Sequence, residues 1–178
     1  MKDDIKQNYK IVKKAIINNL KKNGFSKSKS CYTKNINDII CVAGIQTSVY
    51  GDGQMFLNIG IWIPSFAPYP IGTTVHQCNM YFRADSLPAM EELRKSSGIS
   101  FDYYLCPEDA YDFKVQVEKT QEKKLARLQE IFDSVLFPEM NNFSVAYFLS
   151  FKLPRWFGVL PQYPEVYDLF CGPQWRKS

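Results

Sequence analysis

Two runs of alternating residues between Ile39 and Ile63 constrain the fold more than any other part of the chain. The odd positions of the first run are Ile39, Cys41, Ala43, Ile45, Thr47 and Val49, and those of the second are Met55, Leu57, Ile59, Ile61 and Ile63. A period of two sends them all to one side of an extended chain, so the pair reads as a β-hairpin with a continuous aliphatic face. The even positions carry Ile40, Val42, Gly44, Gln46, Ser48 and Tyr50, then Gln54, Phe56, Asn58, Gly60 and Trp62. That second face mixes glycine, amide and aromatic side chains.

The turn Gly51-Asp52-Gly53 decides the register. A two-residue Asp-Gly turn would pair Gly51 with Gln54 and set odd positions against even ones. A three-residue loop with Gly53 left-handed pairs Tyr50 with Gln54 and keeps the faces apart. Each large aliphatic side chain kept buried is worth roughly 1.5–3 kcal/mol, which outweighs any preference of the turn itself. The longer loop is expected, with Gly44 opposite Gly60.

At 178 residues and 46% hydrophobic content, the chain can bury one well-packed core and is short for two, so residues 1–178 are expected to form a single domain. No run reaches the roughly 18 apolar residues of a membrane span, and the start lacks a signal-peptide core. A cytoplasmic protein without a membrane partner is expected. The cysteines (Cys31, Cys41, Cys78, Cys106 and Cys171) are odd in number and form no C-x-x-C pair, which points to reduced, structural thiols. The net charge of +4 hides an asymmetry: the chain through Lys34 carries +8 and the remainder −4. A local basic segment of this kind reads first as solvated surface.

Along the chain, Ile5, Tyr9, Val12, Ile16 and Leu20 recur at helical spacing, and Asn23-Gly24 ends that helix. A short strand over 31–36, joined through Asn37-Asp38, extends the hairpin into a meander. Residues 62–72 form a stiff loop with three prolines. Residues 75–83 alternate and read as a further strand, 101–105 as a short strand, and 111–117 as either strand or helix. A long helix over 118–137 follows from the stripe Leu125, Leu128, Ile131, Phe132, Val135 and Leu136, with Pro138 ending it. Short helices are expected over 144–151 and 164–171, separated by a second proline-rich loop over 153–164.

Chemistry-bearing residues are sparse. His76, the only histidine, would share a strand side with Cys78, and a nucleophilic pair needs an imidazole that lowers the thiol pKa. Both sit with Met80 and Phe82 on the presumed core side, so the pair is a minor catalytic candidate. No metal site and no cofactor are expected, because one histidine, scattered cysteines and no phosphate loop supply neither. The acidic group Asp102, Glu108, Asp109 and Asp112 reads as solvated. Lys10, Lys13 and Lys14 on the first helix offer weak nucleic-acid binding as a third reading.

The second sheet face is the most informative constellation: Gln46, Tyr50, Asn58 and Trp62 on the hairpin, with Tyr81 and Arg83 on the next strand. Tyr, Trp and Arg are common anchors of protein interfaces, and Gly44 with Gly60 would leave a shallow floor. The alternative is that C-terminal helices cover this face, the glycines permitting close approach.

The order of elements resembles a bacterial family described as a domain of unknown function, number four-three-zero-four in its series. The resemblance rests on the first helix leading to Gly24-Phe25, on Ile45-Gln46-Thr47-Ser48, on Phe56-Leu57-Asn58-Ile59-Gly60-Ile61, on the Cys78 to Arg83 spacing and on Leu136-Phe137-Pro138. It spans about residues 9–152. Tyr103-Tyr104 departs from it where tryptophan is expected, as do a longer stretch before the last long helix and the tail beyond Leu153. The resemblance implies a small bacterial α+β domain, no catalytic residues and an association with toxin-immunity neighbourhoods.

These readings give an α+β fold with a mainly antiparallel meander sheet of four to six strands, packed against the N-terminal helix and the 118–137 helix, with short C-terminal helices. The expected function is non-enzymatic binding of another protein, of toxin-neutralising type. The runner-up is a small enzyme with a Cys/His or Arg-centred site near His76, Cys78 and Arg83.

Overall fold

Helix α1 (Lys2–Lys22) ends where the sequence provides a left-handed residue. Gly24 has φ +85°, its N–H donates to the Lys21 carbonyl at 3.0 Å, and the Phe25 N–H donates to the Leu20 carbonyl at 3.0 Å. This is a Schellman motif, with Phe25 and Leu20 both buried beside it. The computed structural model describes residues 2–48, 54–105, 121–150 and 158–159. Tyr50, the Gly51-Asp52-Gly53 loop and the expectations for 111–117 and 164–171 lie outside them.

The strands are β1 (Ser26–Ser28), β2 (Cys31–Ile36), β3 (Ile39–Thr47), β4 (Met55–Trp62), β5 (Met80–Arg83) and β6 (Gly158–Val159). They form one sheet in sequence order, a mainly antiparallel meander. Ile39, Cys41, Ala43, Met55, Leu57, Ile59, Ile61 and Ile63 are buried, so the odd positions make the expected apolar face, with Thr47 at its exposed end. At the mouth of the hairpin the Ser48 N–H donates to the Gln54 carbonyl at 2.9 Å, so Gln54 meets Ser48 and not the Tyr50 that the expected register assigned to it. An offset of two residues leaves each side chain on its own face.

Chain contacts divide the protein into two compact units. The first comprises Met1–Phe25, Ile45–Leu57 and Arg83–Glu139. In it α2 (Pro88–Ser97) begins with proline at its first turn and ends at Gly98, whose φ is +74°. The Glu139 carboxylate accepts from the Ala89 N–H at 3.2 and 3.4 Å and so satisfies a donor of that first turn. Val12, Ile16, Leu20, Leu128 and Phe132 are fully buried, and rings of Phe25, Phe137, Phe132 and Phe101 follow one another at centroid distances of 5.2–6.3 Å.

Two expectations in this unit are corrected. Residues Phe101–Leu105 are helix α3, not a strand. Alternation would bury every second residue, but Phe101, Tyr103, Tyr104 and Leu105 are all buried and only Asp102 is not. A short apolar run of this kind does not distinguish strand from helix by periodicity. The long helix also does not stop at Pro138: α4 (Gln121–Ile131) passes through a π turn (Phe132–Leu136) into α5 (Phe137–Met140). The Phe137 N–H reaches back to the Phe132 carbonyl, five residues away. Proline cannot donate and crowds the preceding turn, and the widened turn just before it lets the helix continue.

The second unit comprises Ser26–Gly44, Asn58–Phe82 and Met140–Ser178. Its turns are tight: Lys29 (φ +51°) and Asn37 (φ +50°) lead the two-residue β1–β2 and β2–β3 connections. The Asn37 amide donates to the Phe143 carbonyl at 2.8 Å, and Asp38 Oδ1 accepts from the Val145 N–H at 3.0 Å, fixing the start of α6 (Val145–Ser150). Phe82, Phe143 and Phe148 pack ring to ring within 5.0–6.3 Å. Only Met80–Arg83 of the expected 75–83 strand is extended; Val75–Gln77 is a 3-10 turn. The Thr74 N–H and hydroxyl both donate to Gln77 Oε1 at 2.9 Å, a Thr-x-x-Gln capping arrangement that overrides the weak alternation. Among the described residues no helix is long and apolar enough to cross a membrane.

Candidate functional site

Arg83 ends β5, and the 3-10 turn Ala84–Ser86 that follows immediately places Asp85 beside it. The Arg83 guanidinium lies 3.8 Å from the centroid of the Phe56 ring on β4, and Nη1 is 3.7 Å from Oδ2 of Asp102 in the first turn of α3. The Arg83 side chain remains 48% exposed and that of Asp102 only 14%. A cation resting on an aromatic face keeps its planar donors aimed outward at little cost in freedom.

Burial, followed by the neighbouring Asp85 carboxylate, pushes the Asp102 carboxyl up to about 7, with Arg83 opposing the shift. Asp85 Oδ1 is itself buried with no hydrogen-bond partner among the described residues. The Asp102 carboxyl therefore keeps its proton to a higher pH than an ordinary aspartate does. The group presents one exposed cation beside a carboxyl that is partly protonated near neutrality.

In the second unit the even-numbered sheet face is closed. Residues 63–78 fold back over it, so among the described residues the face is neither open, as one reading had it, nor covered by C-terminal helices, as the alternative had it, but covered by a loop. Val75 Cγ2 lies 2.7 Å from where a Gly44 Cβ would stand; at Gly60 the Cys78 Sγ is 2.6 Å and the Val75 carbonyl 3.0 Å from that position. Cys31, Val42, Val75 and Cys78 form one buried cluster, with Ile40, Tyr69 and Tyr81 packed against it. Trp62 is 2% exposed, donates its indole N–H to the Ala67 carbonyl at 2.9 Å and meets Tyr69 edge-on. Asn58 is buried, and Asn79 Oδ1 accepts from the Ile63 N–H at 2.6 Å.

His76 is exposed and stands edge-on to the half-buried Tyr81, with ring centroids 5.0 Å apart. Cys78 donates to the Thr74 carbonyl at 3.5 Å, and burial pushes its thiol up to about 12. A thiol in that state is a poor nucleophile, and its hydrogen bond is not to the imidazole. Among the described residues no cluster of three or more His, Cys, Asp or Glu side chains is arranged to hold a metal.

A family model for a domain of unknown function, DUF4304, matches residues 16–104. The chain belongs to the DUF4304 family. No curated protein and no solved structure matches it. The DUF4304 match begins within α1 and ends within α3, so Phe56, Arg83, Asp85 and Asp102 all fall inside it. The resemblance read from the sequence runs further in both directions.

Of the expected binding residues, Gln46 and Arg83 are exposed, Tyr81 is half-buried, and Asn58 and Trp62 are interior. Sequence reasoning missed Asp85 and dismissed Asp102. The usable signal was local: Arg83-Ala84-Asp85 follows a strand, and Asp102 is the one carboxylate in an otherwise aromatic and aliphatic five-residue run.

Proposed function

We propose that this DUF4304 protein is a cytoplasmic, non-enzymatic binding protein that neutralises a partner protein, in the manner of bacterial immunity proteins, by receiving an acidic group of that partner on Arg83. The observation that carries the reading is the half-exposed guanidinium held on the Phe56 ring, with only a loose 3.7 Å contact to Asp102. Arginine is enriched among the residues that dominate interfaces, and a charge-assisted bond to it contributes about 1.5–3 kcal/mol. The raised Asp102 carboxyl, partly protonated near neutral pH, competes less for Arg83 than an ordinary aspartate would.

The test is co-purification with the proteins encoded beside this one, comparing the wild type, Arg83→Ala and Arg83→Lys. Capture lost in Arg83→Ala and weakened in Arg83→Lys, with both variants still folding cooperatively, supports the reading. Equal capture by all three sinks it. One observation favours a second reading, an Arg-centred enzyme: a carboxyl near pH 7 beside an exposed cation suits general acid–base work. That reading requires turnover with a pH optimum that shifts in Asp102→Asn.

A further inference from the structure

The loop that covers Gly44 and Gly60 also carries the most exposed large apolar side chain among the described residues. Ile71 is 88% accessible, and Phe66, in the same loop, is 40% accessible. Pro64, Pro68 and Pro70 are exposed as well, and residues 63–74 include no charged side chain. Ile71 is left almost wholly accessible, yet its position is tightly defined. The Thr73 N–H and hydroxyl both donate to the Pro70 carbonyl, at 3.1 and 2.5 Å, and Gly72 has φ +85°. That is a turn with its left-handed residue at the third position, which sends the second residue, Ile71, outward. Trp62 anchors the base of the loop through Ala67, and the Phe66 N–H closes a second turn on the Ile63 carbonyl at 3.1 Å.

A cation is held beside this tip. Lys29 adopts a left-handed backbone, rare for lysine, and its stem crosses Gly72: Cε, Cδ and Nζ lie 2.5, 2.6 and 2.8 Å from where a Gly72 Cβ would stand. The ammonium thus lies over Gly72, the residue that follows Ile71. Lys27 is exposed on the edge strand leading into the same turn, and neither lysine pairs with an acidic residue among the described residues. An uncharged apolar prong with lysines at its base matches the layering of a membrane interface, where apolar groups enter the acyl boundary and ammonium groups meet phosphate.

We propose that the Ile71 tip, with Lys29 and Lys27, is a peripheral docking site for an anionic lipid surface. This goes beyond the partner binding at Arg83 and does not depend on it. It also departs from the expectation of no membrane partner, which rested on the absence of a spanning run.

The test is flotation of the full chain with phosphatidylcholine vesicles, and with vesicles in which about a third of that lipid is replaced by phosphatidylglycerol. The wild type is expected to float with the anionic vesicles and not with the neutral ones. Ile71→Asp should cut the bound fraction at least tenfold, and Lys27→Gln and Lys29→Gln roughly fivefold each, the ~1 kcal/mol a lysine contributes near such a surface. Lys10→Gln with Lys14→Gln on α1 should change it little. The Ile71→Asp melting temperature should match the wild type, because the side chain is exposed. Equal flotation with both vesicle types, no flotation at all, or loss only in the α1 variant would each overturn the proposal; the last would assign lipid binding to α1, and the second would leave the tip to a protein contact.

Discussion

Val75 occupies the space that a side chain at residue 44 would fill, its Cγ2 standing 2.7 Å from the Cβ position that Gly44 leaves vacant. The loop is therefore built against bare backbone. Gly44→Ala should cost about 1–3 kcal/mol in chemical denaturation, the usual price of forcing one extra carbon into a filled site. Gly60→Ala should cost at least as much, because one of its neighbours is the Val75 carbonyl, which cannot rotate away. Gly98, which has nothing within 4 Å of its Cβ position but a φ of +74°, separates crowding from backbone strain. Gly98→Ala should cost only about 1 kcal/mol.

Trp62→Phe keeps an aromatic ring in the same place but removes the donor to the Ala67 carbonyl. The expected loss is about 1–2 kcal/mol, and about 3–5 kcal/mol for Trp62→Ala. Proteolysis within residues 63–74 should accelerate in both variants, since the indole is what ties that segment to β4. Unchanged cleavage alongside an unchanged denaturation midpoint would contradict the anchoring role.

The hairpin faces were legible because a period of two over so many residues admits one arrangement, and parity survives even a two-residue change of register. The cover on the even face was not. It depends on residues 63–78 returning to the sheet, which is a matter of tertiary packing, although Thr74 and Gln77 carried the local signal that the segment turns. Arg83 could be selected from its strand position and residue type. Its neighbours Asp85 and Asp102 carried only local signals; that they come together was not legible, since a turn and a short helix do it and neither residue lies on an alternating pattern.

The Glu139 carboxylate, 9% exposed, accepts from the Ala89 N–H at the start of α2. Glu139→Ala leaves that donor without its partner and removes a negative charge from a helix N-terminus, an effect of about 1–2 kcal/mol. Glu139→Gln keeps an acceptor oxygen and should lose about half as much. Hydrogen exchange at Ala89 and its neighbours in α2 is the direct readout, faster in Ala than in Gln.

The last prediction concerns Asp102 and has a definite sign. Its carboxyl sits at about 7 in the folded protein against an ordinary 3.8, so between those values the folded state binds a proton that the unfolded state does not. Stability must then fall as pH rises from about 4 to about 7 and level off above that. This is the reverse of a salt-bridged aspartate. Asp102→Asn removes the titrating group, so the difference in unfolding free energy between variant and wild type should grow in the variant's favour from pH 5 to pH 8. The shift corresponds to on the order of 2–4 kcal/mol, since each pH unit is worth about 1.36 kcal/mol. Arg83 opposes the shift, so Arg83→Ala should raise the Asp102 carboxyl further and steepen the slope around neutral pH. Denaturation midpoints at pH 5, 6, 7 and 8 for the three proteins would measure this, and a slope shared by wild type and Asp102→Asn would place the buried proton elsewhere.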